Sequence, residues 1–356
     1  MTQSPIEIHK FGGTSVGSPE RITAAARIVA DRAADARICI VSSAMSRVTD
    51  QLEHVAATGD PETVADISDR HRAVARELDI SPSTATWRDL DAIIGELEET
   101  ASIARRLVGS SRYPGFGGVP PGLHDRIVSA GERLAVRLLA EAIRREGPLA
   151  EPVDADSFLA TSADFGEADP LHYEGDPAAK ETLGAAIARA VIPVVTGFIG
   201  RGPDGLTRLL GRGGSDFSAA LLAAALDADR LVIWTDVEGV YTCDPRLVPG
   251  ATPIERLSYR EAGEMAFFGS KVLHPRTIIP VSRKGIPTTV RSTLAPRGAS
   301  THIDLELPRA EPADATPSTL AAAVSAMPAV SLLSLEGGGL AGVAGVSARL
   351  FAALAA

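Results

Sequence analysis

The chain has 356 residues, enough for one large or two ordinary domains, with 45% hydrophobic and 22% charged residues and a net charge of −10 at pH 7. That balance argues against nucleic acid as a partner, and an anionic ligand would have to be met by locally placed cations, not by the overall field. Cys39 and Cys243 give neither a disulfide framework nor metal-ligand spacing, and the start "MTQSPIEIHK" has no leader character, so a cytoplasmic protein with reduced thiols is expected.

The runs "IEIHK" and "ARICIVSSA" predict strands, with a helix over residues 19–34 between them. That is a βαβ opening and implies a parallel sheet covered by helices. Residues 50–109 mix acids and bases at helical spacing and read as a solvated helical cap. "SSRYPGFGGVPPG" is a loop, and "LHDRIVSAGERLAVRLLAEAIRREG" predicts one long amphipathic helix stopped at Gly147. "AVIPVVTGFIG" predicts the next strand. In "LLGRGGSDFSAALLAAALDA" a glycine turn meets a helix whose first turn holds Ser215 and Asp216. "RLVIWTDVEGVYTCDPR" reads as a buried strand running into a loop, short helices flank "FFGSKVLHPRT", and "IPTTVRS" is expected as the last strand. The uncharged run 316–335 contains two prolines and repeated hydroxyls, which speaks against a membrane span.

Three glycine elements, "KFGGTS", "GFIGRG" and "GRGGSD", sit where strands end, and ligands of open α/β sheets bind outside those ends. With a lysine and an arginine among them they point to a polyphosphate site. No P-loop, dinucleotide fingerprint or protein-kinase motif set accompanies them, so a phosphoryl-transfer enzyme would belong to another class. Lys10 and Lys271 are the candidate cations for a moving phosphoryl group. Arg212 suits a carboxylate, which guanidinium reads bidentately. Asp216 could hold a lysine or act as a plain helix-start acid. Glu132 interrupts an apolar helix face and could accept from an ammonium group. Thr235, Asp236, Tyr241 and Arg246 suit ribose, adenine and phosphate contacts.

In order, "KFGGTSVG", "VSSAMSRVTD", "SAGERL", "TSADFG", "TGFIG", "LGRGGSDFSAA", "WTDVEGVYTCDPR" and "FFGSKVLHPRTI" resemble the motifs of aspartate kinases, within the amino acid kinase superfamily. The resemblance implies a three-layer α-β-α sandwich around a mainly parallel sheet of about eight strands. It divides the chain into a kinase domain at 1–305 (amino-acid lobe to about 205, nucleotide lobe from about 206), a linker at 306–328 and a partial ACT-like segment at 329–356. It implies MgATP and L-aspartate as substrates, with the metal carried by ATP and not by protein ligands, no membrane or nucleic-acid partner, and a homodimer. Lys10, Asp216 and Lys271 would be catalytic. Ser43, Thr49, Glu132, Arg212 and Ser215 would hold aspartate. Gly12, Gly13, Thr14, Ser15, Thr235, Asp236, Tyr241, Arg246 and Lys271 would line the nucleotide.

Three departures bear on that expectation. Arg47 stands where many members have glycine and some bifunctional relatives a lysine, and is expected beside the acceptor, where an added cation could alter acceptor choice. The usual end of the last strand appears as "PRGASTHI". The ACT-like tail is short, from which little feedback inhibition by lysine or threonine is expected. A kinase of another small amino acid or carboxylate, and a non-catalytic partner of a full-length kinase, are the competing readings.

Overall fold

The computed structural model describes residues 4–108, 118–269, 273–305, 323–326 and 345–355. Residues Met1–Ser325 form one compact unit and Ala326–Ala356 a second. In the second, the described residues form one helix, α11 (Val346–Ala355); the rest of the expected ACT-like segment and most of the linker lie outside the described residues.

Strand β1 (Ile6–Phe11) is buried from its second residue onward and lies between β2 (Arg37–Ser42) and β7 (Arg230–Thr235), parallel to both. Sequence order explains the arrangement. Ser18 caps α1 (Pro19–Ala33), accepting from the Arg21 amide with Pro19 as first helical residue, and the helix returns the chain to β2. Beyond β2 lie β4 (Ile192–Thr196), buried at every position, and β3 (Ala150–Val153). On the other side, β7 is followed by β9 (Thr288–Ser292), β10 (Ser300–Asp304) and β8 (Arg256–Ser258). Among the described residues the sheet has eight strands in the order β3-β4-β2-β1-β7-β9-β10-β8, and β10 against β9 is its one antiparallel pairing. Continuous apolar strands such as "IPVVT" are what a sheet covered on both faces requires.

Helices α1 and α6 (Ala130–Arg145) pack on one side; α7 (Pro177–Ala188), α8 (Gly214–Ala225) and α10 (Pro275–Lys284) pack together and onto β1, β2, β4 and β7. The cap expected over residues 50–109 is α2 (Val48–Thr58), α3 (Pro61–Glu77) and α4 (Ala85–Leu107), docked on α5 (Pro121–Val128) and α6. Helix α9 (Tyr259–Phe267) follows β8.

Two expectations change. The long helix expected from "LHDRIV" onward is two helices, α5 and α6, interrupted at Ser129. The interruption puts Glu132 in the first turn of a helix, not in the middle of one. "IPTTVRS" is not the last strand: "STHID" adds β10, whose Thr301 hydroxyl accepts from the Val240 amide and donates to the Ile254 carbonyl, fixing the loop after β7. A small hairpin, β5 (Ile199–Arg201) with β6 (Thr207–Leu209), also escaped the sequence reading. Among the described residues no helix is long and apolar enough to cross a membrane.

Buried polar groups on β1 are satisfied in a chain. The Trp234 indole N–H, which can only donate, reaches His9 Nδ1 at 3.2 Å, so the proton of His9 sits on Nε2 and is donated to Glu7. Arg32 grips both Glu7 oxygens at 2.9 Å. Burial opposes the Glu7 charge, but His9 and Arg32 outweigh it and hold the carboxyl down at about 2. Asp125, fully buried on α5, accepts the amides of Gly166 and Leu209, each at 3.0 Å, and so ties the hairpin to the helical cap. Asp125→Ala would orphan both amides; an unfolding free energy lower by about 3 kcal/mol is expected in urea titration, and a loss under about 1 kcal/mol would refute this role.

Candidate active site

The β1 strand ends in Lys10-Phe11, and the Gly12-Gly13 turn carries the chain to α1. Three hydrogen bonds fix that turn. The Gly12 amide donates to the Trp234 carbonyl on β7, while the Ser46 amide and hydroxyl both donate to the Gly13 carbonyl from the loop after β2. Lys10, 8% exposed, sends Nζ across to Asp216 Oδ1 at 2.6 Å, in the first turn of α8. A cavity of about 400 Å3 opens here, lined by Lys10, Gly12, Gly13, Thr14, Asp216, Thr235 and Asp236, with Ser46 and Arg47 at its edge.

A second cavity of about 510 Å3 lies against the same ion pair, between α2, α6 and the turn into α8. Ser43, Thr49, Glu132, Arg212 and Ser215 all line it. Close approaches hold the elements around it. Gly213 has φ +72°, and a Cβ there would stand 2.5 Å from the His274 Cβ; a Cβ on Gly131 would stand 2.8 Å from the Ala44 Cβ. Glycine at 131 therefore lets the start of α6 reach the loop after β2. Glu132, 2% exposed, accepts the Ala44 amide on Oε1 at 3.1 Å, while its Oε2 has no hydrogen-bond partner. Burial pushes its carboxyl up to about 7, against the lowering by that amide and by Lys10 and Arg133. A buried acid with one oxygen unspent is suited to a cationic ligand atom.

His124 also lines this cavity, held by Glu53 at 2.8 Å and Asp125 at 3.1 Å. Burial works against its charge, but hydrogen bonds to Asp125 and Glu53 raise it to about 9, so at neutral pH it is an imidazolium. It links α2 to α5. The sequence reading passed over it. The available signal was Glu53 one helical turn after Thr49, which puts an acid on the same face of α2.

Of the residues singled out from sequence, the structure gathers Lys10, Gly12, Gly13, Thr14, Thr235, Asp236 and Asp216 on the first cavity and the five expected acceptor contacts on the second. Ser15 faces elsewhere: fully buried, its hydroxyl bonds the Trp234 carbonyl and Thr293. Tyr241 and Arg246 line neither cavity, and Arg246 is an exposed partner of Asp244. Lys271 lies outside the described residues. Arg47, expected beside the acceptor, lines the first cavity instead. Among the described residues, no group of three or more His, Cys, Asp or Glu side chains is placed to hold a metal ion.

The sequence profile of the Amino acid kinase family matches residues 5–292. The chain is 33% identical over 357 residues to the chloroplastic bifunctional aspartokinase/homoserine dehydrogenase 1 of Arabidopsis thaliana, covering 98% of this chain and 37% of that protein. It is 36% identical over 304 residues to lysine-sensitive aspartokinase 3 of Escherichia coli (strain K12), covering 84% of this chain and 64% of that one. Among solved structures, E. coli aspartokinase III in complex with aspartate and ADP (R-state) superposes with a TM-score of 0.75 at 33% identity, over 85% of this chain and 65% of its own. The chain thus spans about two fifths of the bifunctional relative's length.

Because the folded-state value of Glu132 lies above that of a free glutamate, the folded chain holds the extra proton between about pH 4.5 and 7. Its ionisation therefore lowers stability as pH rises through that window, by on the order of 3 kcal/mol when complete. Glu132→Gln keeps an acceptor for the Ala44 amide and removes the charge. It is expected to raise the thermal midpoint at pH 8 and leave it nearly unchanged at pH 4.5. Equal shifts at both pH values would refute the assignment.

Proposed function

The chain belongs to the amino acid kinase family, and from that premise we propose that it transfers the γ-phosphoryl group of ATP to the side-chain carboxylate of L-aspartate, giving 4-phospho-L-aspartate and ADP. The observation that carries this is the Lys10–Asp216 pair standing on both cavities at once. A phosphoryl donor in the first cavity and a carboxylate in the second would meet at one lysine.

The transfer needs little from the protein beyond positioning and charge compensation. An aspartate carboxylate is already ionised at neutral pH, so no general base is called for. Its oxygen bonds to the γ-phosphorus as the bond to the β-bridging oxygen breaks, and the electron pair leaves with ADP. Lys10 meets the charge on the moving group and Asp216 orients it. Lys271 is assigned the same task from its motif alone. Gly12, Gly13 and Thr14 border the phosphates, while Thr235 and Asp236 border the nucleoside. In the acceptor cavity, Glu132 Oε2 takes the substrate ammonium and Arg212 forks its α-carboxylate, with Ser43, Thr49 and Ser215 supplying hydroxyls. Magnesium carried by ATP would neutralise the β- and γ-oxygens. Such a product would open the route to lysine, threonine and methionine.

A hydroxylamine trap tests the reaction directly, because an acyl phosphate yields a hydroxamate and a phosphate ester does not. Hydroxamate that depends on both ATP and L-aspartate is expected. Hydroxamate with a different small carboxylate alone would move the acceptor, and none with any would refute the kinase. Lys10→Ala should lower kcat by about 10²–10³-fold, corresponding to loss of one preorganised charge, while circular dichroism stays native. An unchanged kcat would remove Lys10 from the chemistry.

A further inference from the structure

Arg47 combines three features that its local structure does not explain. It occupies the N-cap position of α2, where Ser, Thr, Asp, Asn or Gly ordinarily supplies a side-chain acceptor or freedom, and its side chain makes no capping bond. Its backbone stands at φ 69°, ψ −8°, the left-handed region that a long side chain rarely adopts. Its guanidinium is exposed, and among the described residues it forms no ion pair and no side-chain hydrogen bond. An uncapped helix start and a strained backbone both cost stability, and such outliers concentrate where function requires them.

The surroundings indicate what the side chain meets. Arg47 lines the first cavity with Lys10, Gly12, Gly13 and Asp216. The loop carrying it is held from both sides: the Ser46 amide and hydroxyl bond the Gly13 carbonyl, and Arg70 donates to the Ser46 and Gly17 carbonyls. The Arg47 charge lies close enough to Arg70 to help burial lower the Arg70 guanidinium. The Arg70 guanidinium is thus spent on carbonyls of the loops, while Arg47 lines a cavity bordered by a glycine turn.

We propose that Arg47 is a phosphate-binding residue, contacting the β- or γ-phosphate of the nucleotide in the first cavity. It adds a bidentate cation to the point charge of Lys10. The left-handed backbone is the means by which the chain holds this side chain over the Gly12-Gly13 turn while α2 starts at Val48 and places Thr49 on the acceptor cavity. This assignment rests on the nucleotide reading of the first cavity, not on the identity of the acceptor.

The test is calorimetric binding of ADP, AMP and adenosine to the full chain and to Arg47→Gly, Arg47→Lys and Arg47→Ala. Arg47→Gly should weaken ADP by about 10- to 100-fold, leave adenosine unchanged and raise the thermal midpoint, because glycine relieves the backbone. Arg47→Lys should recover part of the ADP affinity. If ADP binds all variants equally, or if adenosine weakens as much as ADP, the proposal is overturned. Steady-state kinetics add a separate reading: a KM change for MgATP supports it, whereas a change for aspartate alone refutes it. Failure of the unsubstituted chain to bind any of the three ligands would instead refute the nucleotide reading itself.

Discussion

Strand β1 has a parallel neighbour on each side, and the chain reaches them in opposite directions: β2 directly through α1, and β7 only after the cap, the hairpin and α8. Right-handed crossovers that run in opposite directions along a sheet leave it on opposite faces, so a crevice opens at the carboxyl end of β1 where they part. Among the described residues, those lining the first cavity stand around that crevice. Lys10 comes from β1 itself, the loop of Ser43 and Arg47 from β2, Thr235 and Asp236 from β7, and Asp216 from the start of α8. These residues lie at or near the carboxyl ends of their strands, in the turns that follow, or in the first turn of α8.

Two buried glutamates show how the fold separates support from function. Glu7 and Glu132 are both nearly inaccessible, yet their carboxyls move in opposite directions. Glu7 has both oxygens engaged by Arg32 and receives a further bond from His9, so the charge is compensated where it lies. Glu132 has one amide on one oxygen and nothing on the other. Burial of a charge is tolerable when partners are present in the folded chain itself, and unfavourable when the partner has still to arrive. The difference marks Glu7 as part of the scaffold and Glu132 as part of the site.

Much of this was legible in the sequence, and the parts that were not share a cause. Apolar runs such as "IPVV" and "LVIW" announce central strands, and glycine turns after them announce where ligands approach. Lys10, Glu132, Arg212 and Asp216 stand out because each is a charged residue within two positions of a glycine at a predicted strand end or helix start. The break at Ser129 was invisible because both halves keep a helical pattern and Ser129 itself stays at φ −65°, ψ −15°. Strand β10 was hidden by "STHID", whose alternation is too short and polar to read without β9 beside it. Ser15 looked like a phosphate ligand by its place in "GGTS", but its hydroxyl points under the turn to Trp234 and Thr293, which lie more than two hundred residues away in the chain. His124 owes its charge to Glu53 and Asp125, and only one of those is its neighbour in sequence. Local pattern carries backbone type; it does not carry which distant group a side chain will find.

A wall common to two chambers also makes their occupants answer to each other. Lys10 has one ammonium group, and Asp216 holds it at 2.6 Å. An anion entering from either side competes for that group and alters what remains for the other. Linkage makes the influence mutual: whatever factor a ligand of the first cavity imposes on the dissociation constant of a ligand of the second, the second imposes on the first. Synergy or antagonism between the two ligands is therefore a property of a single ion pair, and substitution at position 216 would alter that factor even without contact between Asp216 and either ligand.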